Sequence, residues 1–321
     1  MSTPLVTVVI PSFNHGRFID EAVGSALASE IDDLEVVIVD DGSTDETGER
    51  LRAMATDPRL RIFEQENRGA HAALNRSLGL ATGEFIFILD SDDAFVPQRV
   101  PRLLEVLRSD RSAAIAASWI QIVDADGKEL GVKEGWSNLP PWPPPSSGPF
   151  LTGLGDPVLA LLETNYISTT SNIALRRELI DKHGLRFLAL RYTHDWDFIL
   201  SACRHGGIAL VEEPLIRYRV HENNTIREGA QAGVGTMRFE IQWTVARHAF
   251  QVLKRSNTGL AMDELVRLAW NSMPSFGCDA VLDQLLVLRG TSPDPPPTYD
   301  SLLDASQPFR EAAVQVLTSA P

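Results

Sequence analysis

A chain of 321 residues, 44% hydrophobic and 22% charged, can bury one sizeable core with an extension besides, which excludes a disordered polymer. Its formal charge of -14 excludes a general nucleic-acid binder, because phosphate backbones select basic surfaces, so an anionic ligand needs local help. Cys203 and Cys278 lack metal-ligand spacing or a disulfide framework, no basic segment with an apolar core opens the chain, and no apolar run nears the roughly 20 residues that span a bilayer; a cytoplasmic protein without a transmembrane segment is expected.

Leu5 to Ile10 is an apolar run ending at Pro11, and Phe18, Ala22, Val23, Ala26 and Leu27 recur at helical spacing within Arg17 to Ala28, so a strand feeds a helix. Leu34 to Val39 predicts a second buried strand that ends in Asp40-Asp41-Gly42-Ser43-Thr44-Asp45, where Ser43, Thr44 or Asp45 can cap the next helix. Arg61 to Glu64 predicts a short strand, Gly69 to Leu80 a helix closed by Gly83, and Phe85 to Leu89 a strand buried on both faces. That run stops at Asp90-Ser91-Asp92-Asp93, ahead of a helix expected near Pro97. Strands alternating with helices imply βαβ units, a mostly parallel sheet and right-handed crossovers.

The ends of three predicted strands, Pro11-Ser12-Phe13-Asn14, Asp40-Asp41-Gly42-Ser43 and Asp90-Ser91-Asp92-Asp93, should therefore line one edge of one sheet, where open α/β sheets bind ligands. Carboxylates crowded at a buried strand end repel one another, and an oxygen-preferring divalent cation relieves that repulsion. The plainer reading is an acidic turn rich in helix caps. No Gly-x-Gly-x-x-Gly follows the first strand and no Walker Gly-Lys-Ser/Thr occurs, so carboxylate-bound Mg²⁺ or Mn²⁺ is the expected way to hold phosphates.

Further on, Ala113 to Ser118 predicts a strand, and Ile120 to Val123 with Lys128 to Val132 a hairpin around Asp124-Ala125-Asp126-Gly127. Asn138 to Pro149 is proline-dominated and reads as a stiff extended loop, more a surface connector than a border of a binding site. Tyr192-Thr193-His194-Asp195-Trp196-Asp197 leads into a helix with Asp195 near its N-terminus, where an acid is favoured. Pro214 to Asn224 reads as a strand running into a polar loop. Beyond Ile226, Met237, Phe239, Ile241, Trp243, Val245, Phe250, Val252 and Leu253 predict a long helix with a broad apolar face, and further helical runs are expected over Met262 to Trp270, Asp279 to Leu288 and Phe309 to Leu317, punctuated by Pro293 to Pro297. This helical appendage is expected to pack on the rest of the chain or, as a homo-oligomer, on another subunit rather than on a membrane, since no strongly basic face accompanies it.

Val8-Val9-Ile10-Pro11-Ser12-Phe13-Asn14, Val37-Ile38-Val39-Asp40-Asp41-Gly42-Ser43-Thr44-Asp45, Glu66-Asn67-Arg68-Gly69 with Ala73-Leu74-Asn75, and Leu89-Asp90-Ser91-Asp92-Asp93 resemble, in order and spacing, the GT-A-fold, family 2 glycosyltransferases. The resemblance is close over about the first 110 residues and looser to about Asn224. It implies an α/β, Rossmann-like, mostly parallel sheet with an antiparallel extension and a C-terminal helical appendage. The corresponding domains are 1–226 (1–110 for the nucleotide-sugar half, 111–226 for the acceptor half) and 227–321.

The implied chemistry is metal-dependent, inverting transfer from a nucleotide-sugar donor, with UDP the expected nucleotide and Mn²⁺ or Mg²⁺ the cofactor. The acceptor stays open among glycan, lipid-linked glycan, peptide and small molecule. By the same resemblance Pro11 and Phe13 shape the nucleoside pocket and Asp41 contacts the base. Asp90 and Asp92 form a DXD pair around Ser91, with Asp92 the direct metal ligand. Asp195 matches the catalytic base, beside His194 where the family commonly has Glu. In the Tyr218-Arg219-Val220-His221 run, His221 completes the metal shell and Arg219 meets the diphosphate. The family often has Ala-Arg-Asn at Ala73-Leu74-Asn75, so a phosphate-facing arginine is missing or replaced there, and Arg68 is one candidate substitute. Asn75 contacts the donor or satisfies backbone groups. A nucleotidyltransferase would carry a glycine-rich basic loop after the first strand, which Pro11-Ser12-Phe13-Asn14 does not supply. A non-catalytic sugar-nucleotide-binding or scaffold protein is the alternative, with Leu74 and His194 as its support.

Overall fold

A computed structural model of the chain describes residues 4–135, 154–225, 234–256, 258–261 and 264. The chain divides into two compact units. The first comprises Met1–Pro144, Tyr166–Leu188 and Ser201–His221, and the second Pro145–Asn165, Ala189–Leu200 and Glu222–Pro321. Residues 189–200, which contain Asp195, thus group with the C-terminal part rather than with the strands before and after them.

The first unit is built on one mixed sheet. Strands β1 (Val6–Ser12), β2 (Leu34–Asp40) and β4 (Phe85–Ile88) are buried along their whole length, as aliphatic and aromatic runs require when helices cover a parallel sheet. With β3 (Leu60–Glu64) they form a wholly parallel β3-β2-β1-β4 core, and α1 (Ile19–Leu27) and α3 (Ala70–Leu80) pack on it. The amphipathic logic is plain in α1, which buries Ile19, Ala22, Val23 and Ala26. The short α2 (Thr47–Met54) follows β2.

Beyond β4 the direction alternates. Strand β5 (Ala94–Phe95) and helix α4 (Arg99–Ser109) lead to β6 (Ala113–Asp124), whose edge carries β7 (Glu129–Lys133) antiparallel. Strand β8 (Ala174–Arg176) joins β4 to β6, antiparallel to both, and β9 (Gly207–Val220) runs parallel to β6 and antiparallel to β5. The expected parallel core with an antiparallel extension is thus present, and Ala113 to Val123 proves to be one strand rather than two.

Gly83 does not close α3, which ends at Leu80 with Ala81 in extended conformation. Its reason is close approach: a Cβ there would lie 2.6 Å from the Thr7 nitrogen and 2.7 Å from the Val6 carbonyl carbon on β1. The N-cap of α2 is Glu46, whose side chain makes no capping hydrogen bond; of the three candidates, Asp45, one position earlier, accepts from the Thr47 nitrogen at 3.0 Å.

The second unit contains α5 (Pro157–Ala160), the opening turns of α7 (His194–Ala202) and α8 (Val234–Arg255); α6 (Arg177–His183) belongs to the first. Helix α8 is the long helix expected from the apolar residues, but its buried middle also encloses Glu240, Gln242, Thr244 and His248. The proline-rich stretch 138–149 and the helical runs expected after residue 262 lie outside the described residues. Among those residues no helix is long and apolar enough to cross a membrane.

Candidate active site

The register Ser12↔Asp40 brings the ends of β1 and β2 level, and the loops beyond them are tied together. Asn14, in left-handed conformation (φ 53°), accepts from the Thr44 nitrogen through Oδ1 at 2.8 Å, and its own nitrogen donates to Ser43 Oγ at 2.8 Å. Asp45 accepts from the Gly16 nitrogen at 2.9 Å. Pro11 is buried inside β1, whereas Phe13, just past the strand, is 42% exposed. An exposed aromatic on an otherwise fixed loop is available for stacking.

Buried Asp41 organises the loop after β3. Its Oδ1 accepts from Gln65 Nε2 at 2.6 Å and the Arg68 nitrogen at 3.0 Å, and Oδ2 from the Gly69 nitrogen at 2.8 Å. A carboxylate has about four acceptor directions, so one remains. Gly42 (φ 76°) permits the approach, since a Cβ there would lie 2.9 Å from the Asn67 nitrogen. Arg68 is exposed, and its guanidinium makes no hydrogen bond among the described residues. Asn75 is held by both ends of its amide: Nδ2 donates to the Phe187 carbonyl and Oδ1 accepts from the Phe187 nitrogen, each at 2.8 Å.

The four residues after Leu89 point their side chains to four different tasks. Asp90 Oδ2 accepts from Thr169 Oγ1 at 3.2 Å and from Thr170 Oγ1. Ser91 Oγ lies 2.7 Å from His15 Nδ1. Asp93 is fully internal, accepting from Ser171 Oγ at 2.6 Å and the Arg219 nitrogen at 2.9 Å. Asp92 faces imidazoles: its Oδ2 lies 3.0 Å from His221 Nε2 and 3.9 Å from His15 Nε2. Burial alone would raise the Asp92 carboxyl, but the two histidines outweigh it and hold it below the usual range. Asp93 goes the other way, pushed well above the usual range by burial and by the charges of Asp92 and Asp90. The two neighbouring carboxyls are thus shifted in opposite directions.

His15, Asp92 and His221 offer ligand atoms within 4.8 Å of one another, a spacing and donor set that suit one divalent cation. The expected pair Asp92 and His221 is therefore joined by a residue that sequence reasoning passed over. His15 directly follows Asn14 in the first strand-end motif, and that adjacency was its only signal. Phe18 packs beside these imidazoles, its ring centroid 4.9 Å from that of His221 and 6.3 Å from that of His15, which themselves meet edge-on at 5.8 Å.

Arg219 belongs to the frame of this site. It is 2% exposed; Nε donates to the Asp92 carbonyl at 2.9 Å, Nη1 to the Asp124 and Ala125 carbonyls at 3.3 Å, and Nη2 to Glu21 Oε2 at 2.5 Å. Its guanidinium stacks over Phe18 at 5.0 Å. All three of its guanidinium nitrogens are engaged on protein groups.

In the second unit, Asp195 lies in the first turn of α7 and is 8% exposed. Asn165 Nδ2 donates to its Oδ2 at 2.8 Å, while Oδ1 makes no hydrogen bond among the described residues. Trp196 anchors the turn by donating Nε1 to the Leu161 carbonyl at 2.7 Å.

Known proteins resemble this chain in sequence and in fold. The family described as Glycosyl transferase family 2 matches residues 7–184. The succinoglycan biosynthesis protein ExoO of Rhizobium meliloti is 34% identical over 238 residues, spanning 71% of this chain and 62% of ExoO, so the chain covers less than two thirds of that relative. Among solved structures, Staphylococcus aureus TarS 1-349 in complex with UDP-GlcNAc superposes with a TM-score of 0.62 at 18% identity, covering 84% of this chain and 73% of its own. The mannosyltransferase PcManGT of Pyrobaculum calidifontis in complex with GDP-Man and Mn²⁺ superposes with a TM-score of 0.54 at 18% identity, covering 99% and 87%. The shared fold is GT-A.

Proposed function

The chain belongs to glycosyl transferase family 2, and from that premise we propose that it moves a sugar from a nucleoside-diphosphate donor to an acceptor nucleophile with inversion at the anomeric carbon. UDP is the expected nucleotide, and the wider role is polysaccharide biosynthesis, in line with the similarity to ExoO. The observation that carries this reading is the Asp92 carboxylate facing His15 and His221 beyond the ends of the parallel strands, where nucleotide ligands of α/β sheets bind.

The base of the donor stacks on exposed Phe13 above Pro11, and the last acceptor direction of Asp41 takes a base N–H. Arg68, whose guanidinium makes no hydrogen bond among the described residues, meets the diphosphate in place of Arg219, while Arg219 holds the backbone at Asp92. Asp90, Ser91 and Asn75 act beside these as supports, through Thr169 and Thr170, His15 and the Phe187 backbone respectively. A divalent cation held by Asp92, His221 and His15 would stabilise the negative charge that gathers on the departing nucleoside diphosphate. Asp195 takes the proton from the acceptor nucleophile as it attacks, its second oxygen oriented by Asn165. Imidazole nitrogens in the donor set favour Mn²⁺ over Mg²⁺, which demands oxygen ligands and dehydrates reluctantly. The same reading keeps the protein in the cytoplasm, where the thiol of buried Cys203 stays reduced.

Calorimetric titration with UDP, GDP and dTDP, each with Mn²⁺ and with chelator, tests the proposal. Metal-dependent binding of one nucleotide is the expected result. Binding of none would overturn the donor site and favour a non-catalytic relative of the family.

A further inference from the structure

On helix α8, Glu240, Thr244, Arg247 and His248 fall at i, i+4, i+7 and i+8, which is one face of a helix. All four engage the short segment that carries Asp195, and they do so on both sides of it. Upstream, Glu240 Oε1 accepts from the Arg191 nitrogen at 3.0 Å and Oε2 from the Tyr192 nitrogen at 2.7 Å. Thr244 Oγ1 lies 3.0 Å from Thr193 Oγ1. Downstream, His248 Nε2 lies 2.8 Å from Asp197 Oδ1, and Arg247 Nη1 donates to both Asp197 oxygens at 2.7 and 2.9 Å. Glu240, Thr244, His248 and Asp197 are completely buried.

A buried carboxylate costs several kcal/mol in desolvation unless it is hydrogen-bonded and paired. Two such acids and a histidine in one helix contact would be a poor way merely to glue α7 to α8, for which apolar side chains suffice. What the polar contacts supply is direction. They fix backbone N–H groups and a side chain at set angles, which apolar packing does not.

We propose that this face of α8 is a positioning clamp for the catalytic base, holding Arg191 to Asp197 so that the Asp195 carboxylate is presented in one orientation. The inference rests on the reading of Asp195 as base. Glu240, Thr244, Arg247 and His248 are positioning residues that touch no substrate. It also gives the helix a task that lies outside the family match, which ends at residue 184.

The test uses the full chain, with hydrolysis of UDP-N-acetylglucosamine as the turnover assay, UDP as the binding probe and hydrogen–deuterium exchange as the direct view of the segment. In Glu240→Gln, nearly isosteric, one acceptor oxygen becomes an NH₂ that opposes a backbone N–H. Expected are faster exchange over residues 189–193 and a kcat lower by about 100-fold, the size of effect that a misplacement of about 1 Å produces, with KM and UDP affinity within twofold of the wild type. Should Glu240→Gln fail to fold, Thr244→Val, which deletes one hydroxyl contact and leaves Glu240 in place, is read the same way with a loss of about tenfold. Unchanged exchange, or a donor KM that rises in step with the loss of kcat, would overturn the clamp. Asp195→Asn separates the two ideas. Inactive Asp195→Asn beside wild-type kcat in Glu240→Gln overturns the clamp alone, whereas wild-type kcat in Asp195→Asn overturns the base assignment and the clamp with it.

Discussion

His15 brings a second nitrogen to a site that otherwise has one carboxylate and one imidazole, and its Nδ1 contact with Ser91 fixes which ring nitrogen faces Asp92. Removing it should therefore act on cation choice. In His15→Ala, Mn²⁺ affinity is expected to fall about 10- to 100-fold, with Mg²⁺ affinity nearly unchanged, read from the free-ion signal in an electron paramagnetic resonance titration and from calorimetry. Equal losses for both ions would remove His15 from the donor set. Lys133, at the end of β7, is a second residue with a readable consequence. It is 1% exposed, its Nζ donates to the Gly135 and Tyr166 carbonyls at 2.7 and 2.5 Å, and burial pulls its pKa down to about 8. The folded value lies below the ordinary 10.5, so between the two the unfolded chain binds more protons and stability rises with pH across that window. The gain is at most about 3 kcal/mol. Denaturant melts from pH 7.5 to 10.5 should show this rise, and Lys133→Met should flatten it.

At the scale of elements, the parallel core was legible because strands covered on both faces leave uninterrupted apolar runs such as Phe85 to Ile88. Gly83 was visible as a breaker and its reason was not, since the reason is the backbone of β1 rather than anything beside it in sequence. Gly83→Ala should push that backbone away from the turn after α3 and cost about 1–3 kcal/mol, seen as a lower melting temperature with the α-helical signal retained. Helix α8 was found from its apolar residues, yet Glu240-x-x-x-Thr244-x-x-x-His248 already spelled a polar stripe at helical spacing. That stripe could not be interpreted, because its partners lie 47 to 51 residues upstream. Arg219 was hidden in a similar way. Two residues before His221 in sequence it reads as an anion binder, and its contacts with the carbonyls of Asp92, Asp124 and Ala125 and with the Glu21 carboxylate come from distant segments.

The molecule as a whole carries a net charge of -14 while taking, on the present reading, an anionic donor. The global field should oppose that donor and leave attraction to short range, where the cation and Arg68 act. Association of a fluorescent UDP analogue with the Mn²⁺-loaded chain is therefore expected to speed up by about two- to fivefold between 10 and 150 mM salt, in stopped flow, as screening weakens the repulsion. Slowing with salt would mean that the local positive groups dominate even at a distance. The hydrogen bonds around Asp92 also set an order of events in the making of the protein. His15 to Ser91, Ser171 to Asp93, Arg219 to Asp93 and His221 to Asp92 join residues 76, 78, 126 and 129 positions apart. Loops that long close late. A nascent chain still short of His221 has the acids without the complete imidazole set, so it holds divalent ions weakly while it grows. On the proposed reading, capture of a divalent ion thereby becomes a mark of the completed sheet, and a chain stalled on the ribosome or misassembled in its last strand would not capture one.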